Sequence, residues 1–262
     1  MKVLLTNGDS WTQGDSPAQK INWDAKMDLG WYNIVPNFGR GHTFRNSKKP
    51  TAMQKFYDSD VWPKVLGRLL EVETWNAGRL GDDNLNIALS TIRSVEWLLE
   101  QNKKDIFVVV GWSSPLRVPA FVMHEGRGLL GQNTKDRKYE RQQIRPGYTF
   151  TNLTHEEYFN AFETDSMNCS YIYTLQSYLV SKGIDFLFFN AFDHMRDTKN
   201  FAFKLLDKSK WVYEKVGYSH FDSYIKDKYR LADWTNETYY REGHPTDVSH
   251  TAWAEELYSI IA

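Results

Sequence analysis

The chain has 262 residues, 41% hydrophobic and 25% charged, with a formal net charge of −1. That length supports one domain with a sizeable core, or a core domain carrying insertions, and the composition excludes broad disorder. Lys+Arg (32) and Asp+Glu (33) cancel, which argues against an electrostatic nucleic-acid binder.

The chain opens on a short buried strand, Lys2-Val3-Leu4-Leu5-Thr6, ending in the turn Asn7-Gly8-Asp9-Ser10. The run is too short for a signal peptide and no stretch reaches transmembrane length, so the default expectation is a cytoplasmic protein with no membrane partner. Residues 13–59, rich in Gly, Pro, Asn and Trp, read as a long insertion. Residues 60–70 have helical spacing, with Val61, Val65, Leu66, Leu69 and Leu70, and 71–76 form a second strand. Residues 82–101 are a strong amphipathic helix carrying Leu85, Ala88, Leu89, Ile92, Val95, Leu98 and Leu99. The solid apolar run Ile106-Phe107-Val108-Val109-Val110 predicts a strand buried on both faces. A second insertion spans 112–163. Residues 164–182 form a helix stopped by Gly183, and 185–190 a fourth strand. A third insertion, 191–241, contains mixed helical pieces, and 247–261 closes the chain as a helix. The alternation of strand and helix predicts a single α/β domain, 1–262, built as a three-layer α/β/α sandwich around a parallel sheet. Ligands bind outside the carboxyl ends of such strands.

Several features carry no chemistry on this reading. Cys169, the single cysteine, reads as a buried small hydrophobe in the 164–182 helix and excludes an intrachain disulfide. Gly126-Arg127-Gly128-Leu129-Leu130-Gly131 spells a dinucleotide motif but lacks a strand-to-helix context. There is no P-loop, and the seven histidines show no H-E-x-x-H and have no cysteine pair beside them, so no cofactor and no metal are expected. The sequons at Asn152, Asn168 and Asn236 read as chance. The ten tryptophans pack a core or line a carbohydrate or nucleobase site.

Three segments carry chemistry. Ser10 directly follows the first strand in a Gly-containing turn, which presents its hydroxyl at the sheet edge. A serine hydroxyl is a poor nucleophile until a base takes its proton. Gly81, in Asn76-Ala77-Gly78-Arg79-Leu80-Gly81-Asp82-Asp83-Asn84, opens the long helix and can offer an unobstructed N–H to an oxyanion. His244-Pro245 lies before the last helix, where an imidazole can face Ser10 and act as its base.

Together these segments resemble the SGNH/GDSL hydrolases. Gly8-Asp9-Ser10-Trp11-Thr12-Gln13-Gly14 is similar to that family's first block, Asn76 to Asn84 to its second, and His244-Pro245, with Ala254 further along, to its last. The resemblance implies a flavodoxin-like fold, with Ser10 as nucleophile and one oxyanion donor, Gly81 as a second donor and His244 as base. Two positions depart from the family pattern. The third block has Asn where this chain has Ser113, in Gly111-Trp112-Ser113-Ser114, so a serine hydroxyl of shorter reach takes that oxyanion position. The family's acid falls on Arg241, leaving Glu242 to orient His244. A literal D-x-x-H at Asp247-Val248-Ser249-His250 supplies an alternative acid/base pair, Asp247 and His250.

The expected activity is hydrolysis of a small acyl ester, including an O-acetyl ester on a carbohydrate, through an acyl-serine. Trp11, Asn84, Trp112 and Arg117 are the substrate-contact candidates. An acyltransferase using the same site is the second reading. The third is a degenerate module binding a glycan or a protein, favoured by Ser113 and Arg241 at positions that normally function. The oligomeric state is not legible in the sequence.

Overall fold

The computed structural model describes residues 3–13, 60–78, 82–115, 118–123, 139–144, 161–191, 201–217, 220–241 and 243–262. Its centre is a sheet of β1 (Val3–Asn7), β2 (Glu73–Asn76), β3 (Ile106–Trp112) and β6 (Asp185–Asn190), in the order β2-β1-β3-β6. Every pairing is parallel, with Leu5 opposite Trp75 and Val108, and Val109 opposite Leu187. The expected parallel α/β sheet is therefore present.

Strict alternation along the strands builds two cores. Val3, Leu5, Val108, Val110, Trp112, Phe186 and Phe188 point to one face. There they meet Ile87, Val95 and Leu98 of α3 (Asn84–Glu100) and Ile172, Leu175 and Leu179 of α4 (Ala161–Ser181). Leu4, Val109, Leu187 and Phe189 point to the other face. They pack on α2 (Trp62–Leu70), α6 (Phe221–Tyr229) and α7 (Asp247–Ile261), with Trp62, Leu66, Phe221, Trp253 and Leu257 buried between them. Burying apolar side chains on both faces is the main favourable term, about 25 cal/mol per Å² removed from water.

Local signals place the helix ends. Pro63 stands in the first turn of α2, where its missing N–H costs nothing. Asp83 caps α3 by accepting the Asn86 N–H at 2.9 Å. Gly183, at φ +65°, turns the chain out of α4, and Ile184 N–H returns to Leu179 O at 3.0 Å.

The three predicted insertions differ in character. All of 13–59 beyond Gln13 lies outside the described residues. The second insertion begins later than expected, because Trp112 is the last residue of β3. It contains an antiparallel pair, β4 (Val118–Met123) and β5 (Tyr139–Ile144), that the sequence reading did not foresee. Tyr139-Glu140-Arg141-Gln142-Gln143-Ile144 has too few apolar residues to show a two-residue period. The third holds two 3₁₀ turns (Phe201–Leu205 and Lys208–Lys210), α5 (Tyr213–Val216), α6 and the first strand of the hairpin β7 (Tyr240–Arg241) and β8 (His244–Pro245).

The carboxyl ends of β1 and β3 meet the one-turn helix α1 (Ser10–Gln13) with no room to spare. A Cβ on Gly8 would collide with the Thr12 side chain and come within 2.7 Å of Gly111 O. Gly8→Ala is therefore expected to destabilise by about 2 kcal/mol or more, as overpacking does. Gly183 has nothing within 4 Å of such a Cβ, so Gly183→Ala meets only its left-handed backbone, about 1 kcal/mol. Urea denaturation of the two variants checks the order, and an equal loss contradicts it.

Candidate functional site

The site is built where β1 runs out. Asn7 is fully buried; its amide donates to Ile87 O (3.1 Å), Ser90 Oγ (2.8 Å) and Thr91 Oγ1 (2.8 Å) on α3, and its Oδ1 accepts the Gly8 N–H (2.8 Å). Asp9 follows in an Asx-type turn: its Oδ1 accepts the Trp11 N–H at 3.0 Å and its carbonyl accepts the Thr12 N–H at 3.1 Å. From the second strand, Asn76 donates to Thr12 O at 3.0 Å and secures the far end of α1. Ser10 is the first residue of that turn of helix, and among the described residues no acceptor takes its N–H.

The β7–β8 hairpin supplies the facing group. Gly243 turns the chain at φ +74°, and Thr246 N–H donates to Tyr239 O at 2.9 Å. Tyr240 anchors the hairpin, donating its hydroxyl to Asp222 Oδ1 at 2.7 Å, and its burial together with that carboxylate pushes the phenol well above its ordinary range. His244, half-buried, then sets its Nε2 3.0 Å from Ser10 Oγ across 234 residues of sequence.

Other sequence candidates sit differently. Ser113 holds the single proton of its hydroxyl on Asp9 Oδ2 at 2.9 Å, so it braces the turn that carries Ser10 instead of presenting a donor at the strand ends. Asn84 is likewise committed. It accepts Ser113 N–H (2.8 Å) and donates to Ser113 O (3.1 Å) and Asn168 Oδ1 (2.7 Å), so both amide hydrogens are held within the fold and neither is left to donate to substrate. Asn168 in turn donates to Pro115 O at 2.9 Å, so its sequon is internal to the fold. Trp11 is buried against Phe221 (5.5 Å) and Tyr240 (6.2 Å). Trp112 is enclosed beside Phe188 at 5.3 Å. Both indoles are core residues, a correction to their place among substrate contacts. Gly81, Arg117 and Glu242 lie outside the described residues.

The Asp247/His250 alternative is also corrected. His250 is fully buried and its Nδ1 accepts the Trp62 N–H at 3.3 Å, satisfying an orphan donor at the start of α2. An Nδ1 that accepts leaves the proton on Nε2, so the one lone pair this imidazole could use as a base is already held by Trp62 N–H, and His250 is not placed to take the proton of Ser10. Burial is the largest cause of its depressed pKa, the nearby His244 adds to it, and Asp247 opposes both, for a value of about 3. Asp247 opens α7, where a carboxylate suits the helix dipole.

Sequence reasoning missed Asp222. It is 3% exposed, and Tyr240, Trp234 and Lys226 converge on its carboxylate. No local pattern marks it, because its partners come from four to eighteen positions away. Among the described residues, no group of three His, Cys, Asp or Glu could hold a metal ion, and no helix is long and apolar enough to cross a membrane.

The buried His250 makes a pH prediction. Its pKa is lowered on folding, so its contribution to stability is complete above 6.5 and is lost as pH falls toward about 3. Between pH 7 and pH 5 the native protein is expected to lose about 2 kcal/mol more stability than His250→Gln. Urea denaturation at both pH values checks this, and parallel losses in the two proteins contradict it.

A family model described as "Family of unknown function (DUF6071)" matches residues 44–261. No curated protein matches the chain. Among solved structures, the chain is similar to one described as a "putative lipolytic protein of G-D-S-L family" from Desulfitobacterium hafniense DCB-2, with 10% identity over 99% of each chain and a TM-score of 0.39.

Proposed function

The chain belongs to the DUF6071 family, and we propose that it is a serine hydrolase that cleaves a small acyl ester. The observation that carries this reading is the 3.0 Å approach of His244 Nε2 to Ser10 Oγ at the carboxyl edge of a parallel sheet.

In the proposed reaction, His244 Nε2 takes the Ser10 hydroxyl proton as Oγ attacks the ester carbonyl. The carbonyl oxygen becomes an oxyanion, and the Ser10 N–H is its first donor. The sequence offers the Gly81 N–H as the second. Collapse of the tetrahedral intermediate breaks the ester C–O bond, and His244 returns the proton to the leaving alcohol. Water then attacks the acyl-serine, giving up a proton to His244, and the carboxylic acid leaves as Ser10 recovers its hydrogen. Glu242, just ahead of His244, and Asp247, just after it, are the candidates for holding the imidazole. Ser113 and Asn84 act behind the nucleophile by fixing Asp9. An intact Ser–His contact favours catalysis over the reading as a degenerate binding module.

Hydrolysis of p-nitrophenyl acetate tests the proposal. Ser10→Ala and His244→Ala are each expected to lower kcat by about three orders of magnitude or more, with the double variant no worse than either, because the two act as a unit. Activity that survives Ser10→Ala contradicts the assignment.

A further inference from the structure

The first turn of α6 touches both sides of the Ser10–His244 pair. Phe221 is fully buried and meets Trp11, the neighbour of Ser10, edge to face at 5.5 Å. Asp222 accepts the Tyr240 hydroxyl at 2.7 Å, and Tyr240 stands opposite Pro245 in the hairpin that carries His244. The turn is itself tied to the carboxyl edge of the sheet, where Asp222 N–H donates to Ala191 O, just past β6, at 3.1 Å.

A histidine starts this turn. His220 is the N-cap of α6: its Nδ1 accepts the Ser223 N–H at 2.9 Å, and its own N–H donates to Ser223 Oγ at 3.1 Å. A backbone N–H can only donate, so this bond fixes the ring as the neutral form with its proton on Nε2. The usual capping side chains, Ser, Thr, Asp and Asn, keep their charge near neutrality. An imidazole takes a second proton at about pH 6.5. Here that proton goes to Nδ1 and turns the acceptor into a donor facing a donor. It also sets a positive charge at the amino end of the helix dipole. Both effects release the cap, and the ring is half-buried, within reach of water. The described groups packed around the turn are Asp222 and Lys226 of α6, paired at 2.8 Å, Asn190 of β6 alongside His220, and His250 of α7 against Phe221 at 5.8 Å. Asn190 has no charge to change, and burial holds His250 neutral down to about 3.

We propose that His220 is a pH-sensitive positioning residue: when neutral it holds the first turn of α6, and through Phe221 and Asp222 the Ser10–His244 pair, and when protonated it loosens both. The inference rests on the serine hydrolase reading only for its effect on rate.

Native-state amide hydrogen exchange tests it without any substrate. The native protein is compared with His220→Asn, which keeps an acceptor for Ser223 N–H but does not titrate. Exchange is read at Ser223, at Thr246, whose N–H closes the hairpin on Tyr239 O, and at Val109 in the sheet as the measure of global opening. From about pH 7.5 to about pH 5.5, protection at Ser223 and Thr246 relative to Val109 is expected to fall about tenfold in the native protein and to hold in His220→Asn. Constant protection in the native protein, a fall confined to Ser223, or an equal fall in His220→Asn overturns the proposal. His220→Asp, a second capping side chain, replaces His220→Asn where that variant does not fold. Activity is the second readout. Over the same range, kcat/KM for p-nitrophenyl acetate is expected to fall about tenfold further in the native protein than in His220→Asn, with the two alike at about pH 8. Profiles of the same shape overturn the proposal. If no ester is cleaved at all, the hydrolase reading fails alone, and the exchange result still decides this one.

Discussion

Asn7 closes β1 fully buried, and its three contacts to α3 fix the height at which the strand ends. Everything at the site is measured from that point. The same side chain takes the Gly8 N–H, Gly8 leaves room for Thr12 against Gly111 O, and the turn that follows delivers Ser10 at the start of α1. A buried amide left without a partner costs about 1–3 kcal/mol, so the chain has no cheap alternative ending for this strand. The polar groups behind Ser10 continue the pattern: Asp9, Ser113, Asn84 and Asn168 form a chain of bonds from α1 through the end of β3 to α3 and α4. A fully satisfied polar network of this kind rigidifies its surroundings more than its separate bonds suggest.

The opposite side of the site depends on a buried carboxylate. Asp222 gathers Tyr240, Trp234 and Lys226, and through Tyr240 it holds the hairpin that carries His244. Trp11, the neighbour of Ser10, packs on that same Tyr240 and on Phe221. The circuit is closed: α1, α6 and the hairpin each touch the other two. The 3.0 Å separation of Ser10 and His244 is therefore supported by packing on one side and by charge on the other.

Much of the fold is legible in the sequence because buried parallel strands announce themselves. Val3-Leu4-Leu5 and Ile106 to Val110 are solid apolar runs, and the spacing of Ala88, Val95 and Leu98 gives α3 its buried face. The β4–β5 pair is hidden because its second strand is polar. At the site, the turn after β1 and the His-Pro pair draw attention to Ser10 and His244 through local chemistry. Asp222 and Trp234 escape notice, since an acid in a helix and a tryptophan in a loop look the same whether or not they meet. Ser113 misleads for a related reason: its position at the end of β3 is readable, but the direction of its hydroxyl depends on Asp9, more than a hundred residues earlier. Trp112 reads as the start of a loop because the glycine before it looks like a strand end, yet Gly111 is there to clear the Phe189 ring.

The central claim is that Ser10 is an activated nucleophile, and covalent labelling addresses it without any assumption about substrate. Treatment of the native protein with a fluorophosphonate, followed by peptide mass spectrometry, should find one adduct, on Ser10, forming far more slowly in His244→Ala. No adduct, or an adduct on another serine at an undiminished rate in Ser10→Ala, would contradict the account.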